Sequence, residues 1–193
     1  MLILALTGSI ATGKSTVLGM FKQENIVTIS SDEIVHELYQ KEAVAPLKKL
    51  FPSAIKNNKV DRKTLSKLLV KTPSLLGELE KTIHPLVRQK QNEFIQKCKE
   101  NNEKLIVIEI PLLFETNSNI AFDYALITTC PEEILRQRAL QRDGMNEQKL
   151  DIILANQMSQ QDKILRADFI IDTSKSLRQS KREVKNIIAK LIG

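Results

Sequence analysis

The stretch "GSIATGKST", Gly8 to Thr16, constrains this chain more than any other. Two of only six glycines stand five positions apart here and are followed by Lys14 and Ser15, the pattern G-x-x-x-x-G-K-[ST]. Such a loop binds phosphate only where a strand enters it and a helix leaves it. "LILAL", Leu2 to Leu6, is an apolar run suited to a buried strand, and Lys14 to Phe21 starts a helical pattern. In that setting, successive backbone N–H groups and the helix N-terminus surround the phosphate oxygens with partial positive charge. Gly8 and Gly13 let the backbone turn and approach closely. Lys14 is placed to reach the β- and γ-phosphates, and the Ser15 hydroxyl to ligate Mg²⁺.

Further apolar runs lie at Ile26–Ile29, Leu105–Ile110, Tyr124–Thr128 and Phe169–Ile171, with helical patterns between and after them. Strands alternating with helices predict an α/β fold with a parallel sheet covered on both faces. Pro131 opens a helix with Glu132 and Glu133 in its first turn, and that helix is expected to stop before Gly144. Leu177, Val184, Ile187, Ile188 and Leu191 form the apolar stripe of a final helix, whose Arg178, Lys181, Arg182 and Lys185 read as a solvated face. Residues 32 to 103 are rich in Lys, Leu and Glu and offer no good strand, so they read as a helical insertion between the second and third strands. Within it, His84-Pro85 reads as a helix break. With 193 residues and no repeat or linker, one compact unit is expected.

No apolar run approaches the roughly 20 residues of a membrane helix, and no basic leader precedes the first strand, so a cytoplasmic protein without a membrane partner is expected. Cys98 and Cys130 are too isolated for a disulfide framework or a metal site and read as reduced thiols. A net charge of +6 suits a polyanion. With 4% aromatics and no Trp there is little on which to stack bases, so nucleotides and phosphorylated metabolites fit as well as nucleic acid does. "NKVD", Asn58 to Asp61, imitates a guanine-reading motif. It follows "FPSAIKNN" rather than an apolar strand, and no D-x-x-G occurs in the chain, which argues against a GTPase.

Phosphoryl transfer needs positioning, a metal, charge neutralisation and an acceptor for a proton. In open α/β sheets these gather beyond the carboxyl ends of the strands. Asp32 lies just past the second strand and is read as a general base, a helix N-cap, or both. Glu109 ends the apolar run "LIVIE", where a carboxylate has no packing reason to be, and suits a residue reaching Mg²⁺ through water. Arg138 and Arg142, four apart on one expected helical face, read either as lid arginines over the transferring phosphate or as surface residues. His84 and Arg88 lie in "HPLVR"; His36 has no motif of its own.

Taken in order, these segments resemble the dephospho-coenzyme A kinase family across essentially the whole chain. "LTGSIATGKST", "SSDEIVHEL", "VDRKTL", "IHPLVR", "IEIPLLFE", "CPEEILRQRALQRDG", "ANQMSQQDK" and "ADFIIDTS" are each similar to a family segment. The resemblance implies a five-stranded kinase fold, with core residues about 1–31, 104–140 and 167–193, an acceptor-binding insertion about 32–103 and a lid about 141–166. It implies transfer of the γ-phosphate of ATP, with Mg²⁺, to the ribose 3′-hydroxyl of dephospho-CoA. Its partners would be those two substrates, with no nucleic acid, and the chain would be a monomer or weak homo-oligomer. Asp32 matches the family's acceptor-activating aspartate, and Ala11, Thr12, Gly13, Lys14, Ser15 and Thr16 match the ATP phosphate site. His84 and Arg88 match a substrate-side motif, and Pro111, Leu112 and Leu113 the acceptor site. Arg138 and Arg142 match lid arginines, and Gln157 and Lys163 the polar residues after the lid. Ser9, Ser30, Glu109, Ile153, Thr173 and Lys175 depart from residues common in the family. The weighed alternatives are a kinase of another small metabolite, such as a nucleoside monophosphate, and a nucleotide-dependent nucleic-acid-binding protein.

Overall fold

In the computed structural model, which describes residues 1–115 and 120–193, each of the five apolar runs is a strand. In chain order the elements begin β1 (Leu2–Thr7), α1 (Lys14–Gln23), β2 (Val27–Ser30), α2 (Ser31–Leu38) and α3 (Val44–Leu50). A short hairpin, β3 (Ile55–Lys56) and β4 (Lys59–Val60), follows, then α4 (Arg62–Lys71) and α5 (Leu75–Glu100). The chain continues through β5 (Leu105–Glu109), β6 (Tyr124–Thr129), α6 (Glu132–Leu140), α7 (Glu147–Ala155), α8 (Gln160–Ile164), β7 (Phe169–Asp172) and α9 (Leu177–Ile192). The described residues fall into two compact units, Met1–Ile29 with Cys98–Gly193, and Ser30–Lys97.

The large sheet runs β2-β5-β1-β6-β7 and is parallel, with Leu6 of β1 opposite Glu109 of β5 and Leu126 of β6. A strand with neighbours on both sides and helices over both faces reads as a continuous apolar run, which is why β5 is "LIVI" up to Glu109 at its carboxyl end, with all five residues buried. Leu4, Leu6, Val107, Leu126 and Ile171 of the sheet pack with Val17 and Phe21 of α1 and with Val184 and Ile187 of α9. Each fully buried leucine or phenylalanine there contributes roughly 1.5–3 kcal/mol relative to exposure. The same packing orients α9 with its basic residues outward: Arg178 and Lys185 are exposed. Cys98 and Cys130 are buried free thiols, and among the described residues no helix is long and apolar enough to cross a membrane.

The second unit departs from its all-helical expectation at the β3–β4 hairpin. Asn57 and Asn58 take positive φ of 49° and 56°, the two-residue turn whose twist suits a hairpin and which asparagine tolerates. The "NKVD" decoy thereby finds its structural meaning. Its Asp61 caps α4, accepting the Thr64 N–H at 2.8 Å. The expected break at His84-Pro85 is also corrected, since α5 runs uninterrupted through Pro85. Proline deletes one intrahelical hydrogen bond, but buried Leu79, Ile83 and Gln91 hold the helix on both sides of it.

Candidate active site

The phosphate loop leaves the end of β1, and its shape follows from what surrounds each glycine. A Cβ on Gly8 would lie 2.5 Å from Thr128 Oγ1 and 2.7 Å from Thr12 Oγ1, so no side chain fits there. Gly13, with φ 87° and ψ 18°, begins α1 in the left-handed region, and Ala11 also has positive φ, 59°. The buried Thr12 hydroxyl donates to Ser9 O at 2.8 Å and lies 2.9 Å from the hydroxyl of Thr128, which is also buried, so two small alcohols knit the loop to β6. Lys14 Nζ folds back to donate to the carbonyls of Gly8 (2.8 Å) and Ser9 (3.0 Å). Its ammonium is thereby held over the loop instead of extended into solvent. Ser15 and Thr16 are exposed in the first turn of α1.

Arg138 belongs to α6, and its fork closes on a single residue of the β7–α9 turn: Nη1 donates to Thr173 Oγ1 at 3.0 Å and Nη2 to Thr173 O at 2.8 Å. Thr173 Oγ1 in turn lies 2.9 Å from Thr12 O of the phosphate loop. Arg142 is elsewhere. The helix ends at Leu140, with Gln141 as its C-cap, so the two arginines do not share a helical face and Arg142 stands exposed in the following turn. Burial pushes the Cys130 thiol up despite the opposing charge of Arg138, which suits a structural thiol. Burial also raises the Asp172 carboxyl, but hydrogen bonds from Ser174 and the charge of Lys175 outweigh it and hold the group below the usual carboxylate range.

Beyond β5 the chain turns at Pro111, whose carbonyl accepts the Thr7 hydroxyl at 3.3 Å. Glu109 is buried at the strand end, Leu113 is buried, and Leu112 is partly exposed. Glu115 Oε1 accepts the Met158 N–H at 3.0 Å and lies 2.7 Å from Nζ of the fully buried Lys163. The neighbouring Gln157 accepts the N–H of Ile10, inside the phosphate loop, at 3.1 Å. The segment after α7 thus touches both the phosphate loop and the turn after β5. Sequence reasoning singled out Gln157 and Lys163 but missed Glu115 as the partner of Lys163, and missed Thr12 and Thr128 as a buried pair. The only sequence signal for the latter was a pair of threonines closing an otherwise apolar strand.

Helix α7 packs on α6 and the loop through fully buried Leu150 and partly buried Leu154, beside Leu135, Ala139, Ile10 and Ala11. At the rim, Arg136 reaches three carboxylates: Glu132 at 2.9 Å, Glu147 at 3.0 Å and Asp151 at 2.8 Å. These solvent-exposed pairs contribute little to stability and are screened by salt. The apolar contact therefore decides the docking of α7.

The second unit carries Asp32, His84 and Arg88. Asp32 is not the N-cap of α2. Ser30 holds that position, and its hydroxyl accepts the Asp32 N–H at 3.3 Å, so the exposed Asp32 carboxylate is not engaged in capping. Ser30 thus has a local task as the cap of α2. His84 and Arg88 are exposed and one turn apart on α5.

A family model described as Dephospho-CoA kinase matches residues 2–179. The chain is 41% identical over 188 residues, 97% of each chain, to a Dephospho-CoA kinase of Rhizobium meliloti (strain 1021). Among solved structures it is similar to TT1252 from Thermus thermophilus, with TM-score 0.84, 29% identity and coverage of 100% of this chain and 98% of that one. It is also similar to a Dephospho-CoA kinase from Campylobacter jejuni, with TM-score 0.70, 27% identity and coverage of 98% and 96%.

Proposed function

The chain belongs to the dephospho-CoA kinase family, and from that premise we propose how its residues divide the work of moving the γ-phosphate of ATP to dephospho-CoA. The reaction forms CoA and makes the chain a phosphotransferase. The observation that carries the reading is the phosphate loop at the end of β1, in a chain that matches the family along nearly its whole length.

ATP binds with its phosphates against residues 11–16, where the start of α1 and the Lys14 ammonium neutralise charge. The ribose 3′-oxygen of dephospho-CoA attacks the γ-phosphorus as the bond from that phosphorus to the β–γ bridging oxygen breaks. Asp32 takes the hydroxyl proton, and ADP leaves. Arg138 and Arg142 stabilise charge on the transferring group, because guanidinium forks match phosphoryl oxygens. His84 and Arg88 bind the acceptor together with Pro111, Leu112 and Leu113. The exposed Ser15 hydroxyl and the buried Glu109 carboxylate are hard oxygen donors, and among the described residues no cluster of three or more His, Cys, Asp or Glu exists to hold a metal by itself. That donor set fits Mg²⁺, which prefers few protein ligands together with substrate phosphates. When bound there, Mg²⁺ supplies charge neutralisation and orientation of the triphosphate. We place the enzyme in the cytoplasm as a monomer or weak homo-oligomer without nucleic-acid or membrane partners. Its excess of +6 is matched by two small polyanionic substrates.

The test offers purified protein and Mg-ATP with dephospho-CoA, AMP, adenosine, shikimate or buffer, following ADP release. Fast turnover is expected with dephospho-CoA, slow with AMP and adenosine, and none with shikimate, because binding of the remote tail orients the hydroxyl. Fragmentation mass spectrometry should place the new phosphate on the 3′-oxygen. Preferred turnover of another acceptor overturns the reading.

A further inference from the structure

Thr173 occupies a position where one hydroxyl does two things at once. A threonine hydroxyl has one proton to give and two lone pairs. Its oxygen lies 2.9 Å from Thr12 O and 3.2 Å from Thr129 O, so the proton goes to the nearer carbonyl, that of the phosphate loop. A lone pair takes Arg138 Nη1 at 3.0 Å, while the Thr173 carbonyl takes Nη2 at 2.8 Å. A guanidinium bonded through both terminal nitrogens to one residue has its plane set by that residue. The side chain also lies over the turn into α1, since a Cβ built on Gly13 would be 3.3 Å from the Cβ, Cγ2 and Oγ1 of Thr173. The backbone of Thr173 is itself fixed to the sheet, its N–H donating to Thr129 O at 2.9 Å.

We infer that Thr173 is a positioning residue for phosphoryl transfer, its hydroxyl coupling the phosphate loop at Thr12–Gly13 to the orientation of the Arg138 guanidinium. The inference rests on the kinase reading above and adds to it a residue outside the phosphate loop and the arginines. Thr173 touches no reacting atom. It acts by holding the last turn of the loop and the arginine in register, so that N–H donors and guanidinium face the same phosphates without rearranging on binding.

Thr173→Val removes the hydroxyl at constant shape, and Thr173→Ser keeps it while removing the methyl. In the full chain with Mg-ATP and dephospho-CoA, the valine variant is expected to lose about 10-fold in kcat and to bind ATP several-fold more weakly. The KM for dephospho-CoA should stay within about 2-fold. The serine variant should remain within about 2-fold of wild type in all three. In an Arg138→Ala background, the kcat effect of Thr173→Val should shrink to less than about 3-fold, as expected for residues acting as a unit. Wild-type kinetics and ATP affinity in Thr173→Val, a serine variant as impaired as the valine one, or undiminished loss in the Arg138→Ala background would each overturn the inference. ATP affinity, measured by direct titration, reads the loop contact without any acceptor. Failure to phosphorylate dephospho-CoA would sink the substrate reading and leave this measurement standing as the test of Thr173.

Discussion

Replacing Lys163 by methionine should destabilise the protein by about 3–5 kcal/mol, far more than loss of a surface ion pair would. Lys163 is 0% exposed and the Glu115 side chain 12%, with 2.7 Å between Nζ and Oε1. Without the ammonium, the Glu115 carboxylate stays buried with the Met158 N–H on Oε1, while Oε2 has no hydrogen-bond partner among the described residues. That uncompensated charge, not the lost contact, sets the magnitude. For a chain of this size, about 2–4 °C of Tm accompanies each kcal/mol, so the melting point should fall by roughly 6–20 °C. The double variant Lys163→Met with Glu115→Gln removes both charges and keeps an amide oxygen for Met158. The pair repays its desolvation poorly, because Nζ also lacks a well-aligned hydrogen bond. The double variant should therefore recover to within about 1 kcal/mol of wild type. Reversible urea unfolding and thermal melting would measure all three chains. A single variant within about 1 kcal/mol of wild type, or a double variant no better than the single, would refute the reasoning.

Asp32→Asn should lower kcat by roughly 10²–10⁴ with Tm unchanged, whereas Ser30→Ala should cost about 1 kcal/mol of stability by removing the cap of α2; steady-state kinetics beside melting curves separate the two, and near-normal turnover of Asp32→Asn would dismiss the base. Arg138→Ala and Arg142→Ala should each depress kcat far more than ATP affinity, with Lys rescuing only in part, and wild-type kinetics in both would dismiss their part in phosphoryl transfer. Hydrogen bonds from the Thr64 side chain and backbone and from Lys56 hold Asp61 at about 2, below its ordinary 3.8. A depressed carboxyl stabilises fully above the unfolded value and ceases to do so as pH falls through the folded one. The stability gap between wild type and Asp61→Asn should therefore close between about pH 4 and pH 2 in acid titrations, and a gap unchanged across that window would contradict the assignment.

The large sheet was legible because its signal is local: five short apolar runs, each bounded by polar or turn residues, can satisfy their hydrophobicity only by stacking side by side. The phosphate-loop backbone was legible for the same reason, since two glycines and a lysine at fixed spacing leave few geometries. The hairpin was missed because β3 and β4 hold two residues each, too few for a period, and its one signal was the Asn57-Asn58 pair. Pro85 misled because a local rule was overruled by packing along α5. At α2 the alternative reading of Asp32 as the cap falls two positions after the residue that performs it, since Ser30 and Asp32 both suit capping and only geometry chooses. The Arg138–Thr173 and Glu115–Lys163 pairs join residues 35 and 48 positions apart. No periodicity reports such partnerships, which arise only when the sheet order has brought the elements together.

That sheet order also has a consequence for how the protein is made. β1 is synthesised before the other strands of its sheet, yet its hydrogen-bonding partners are residues 105–109 and 124–127. Until the chain has grown past residue 127, at roughly 5–20 residues per second, β1 and the glycine loop it carries lack one flank of the sheet. Residues 30–97, a compact unit made of neighbours in sequence, are synthesised whole during that wait. The nascent chain thus carries the glycine loop on an unassembled strand for several seconds, and that apolar run needs shielding by the ribosome or a chaperone until its partners emerge.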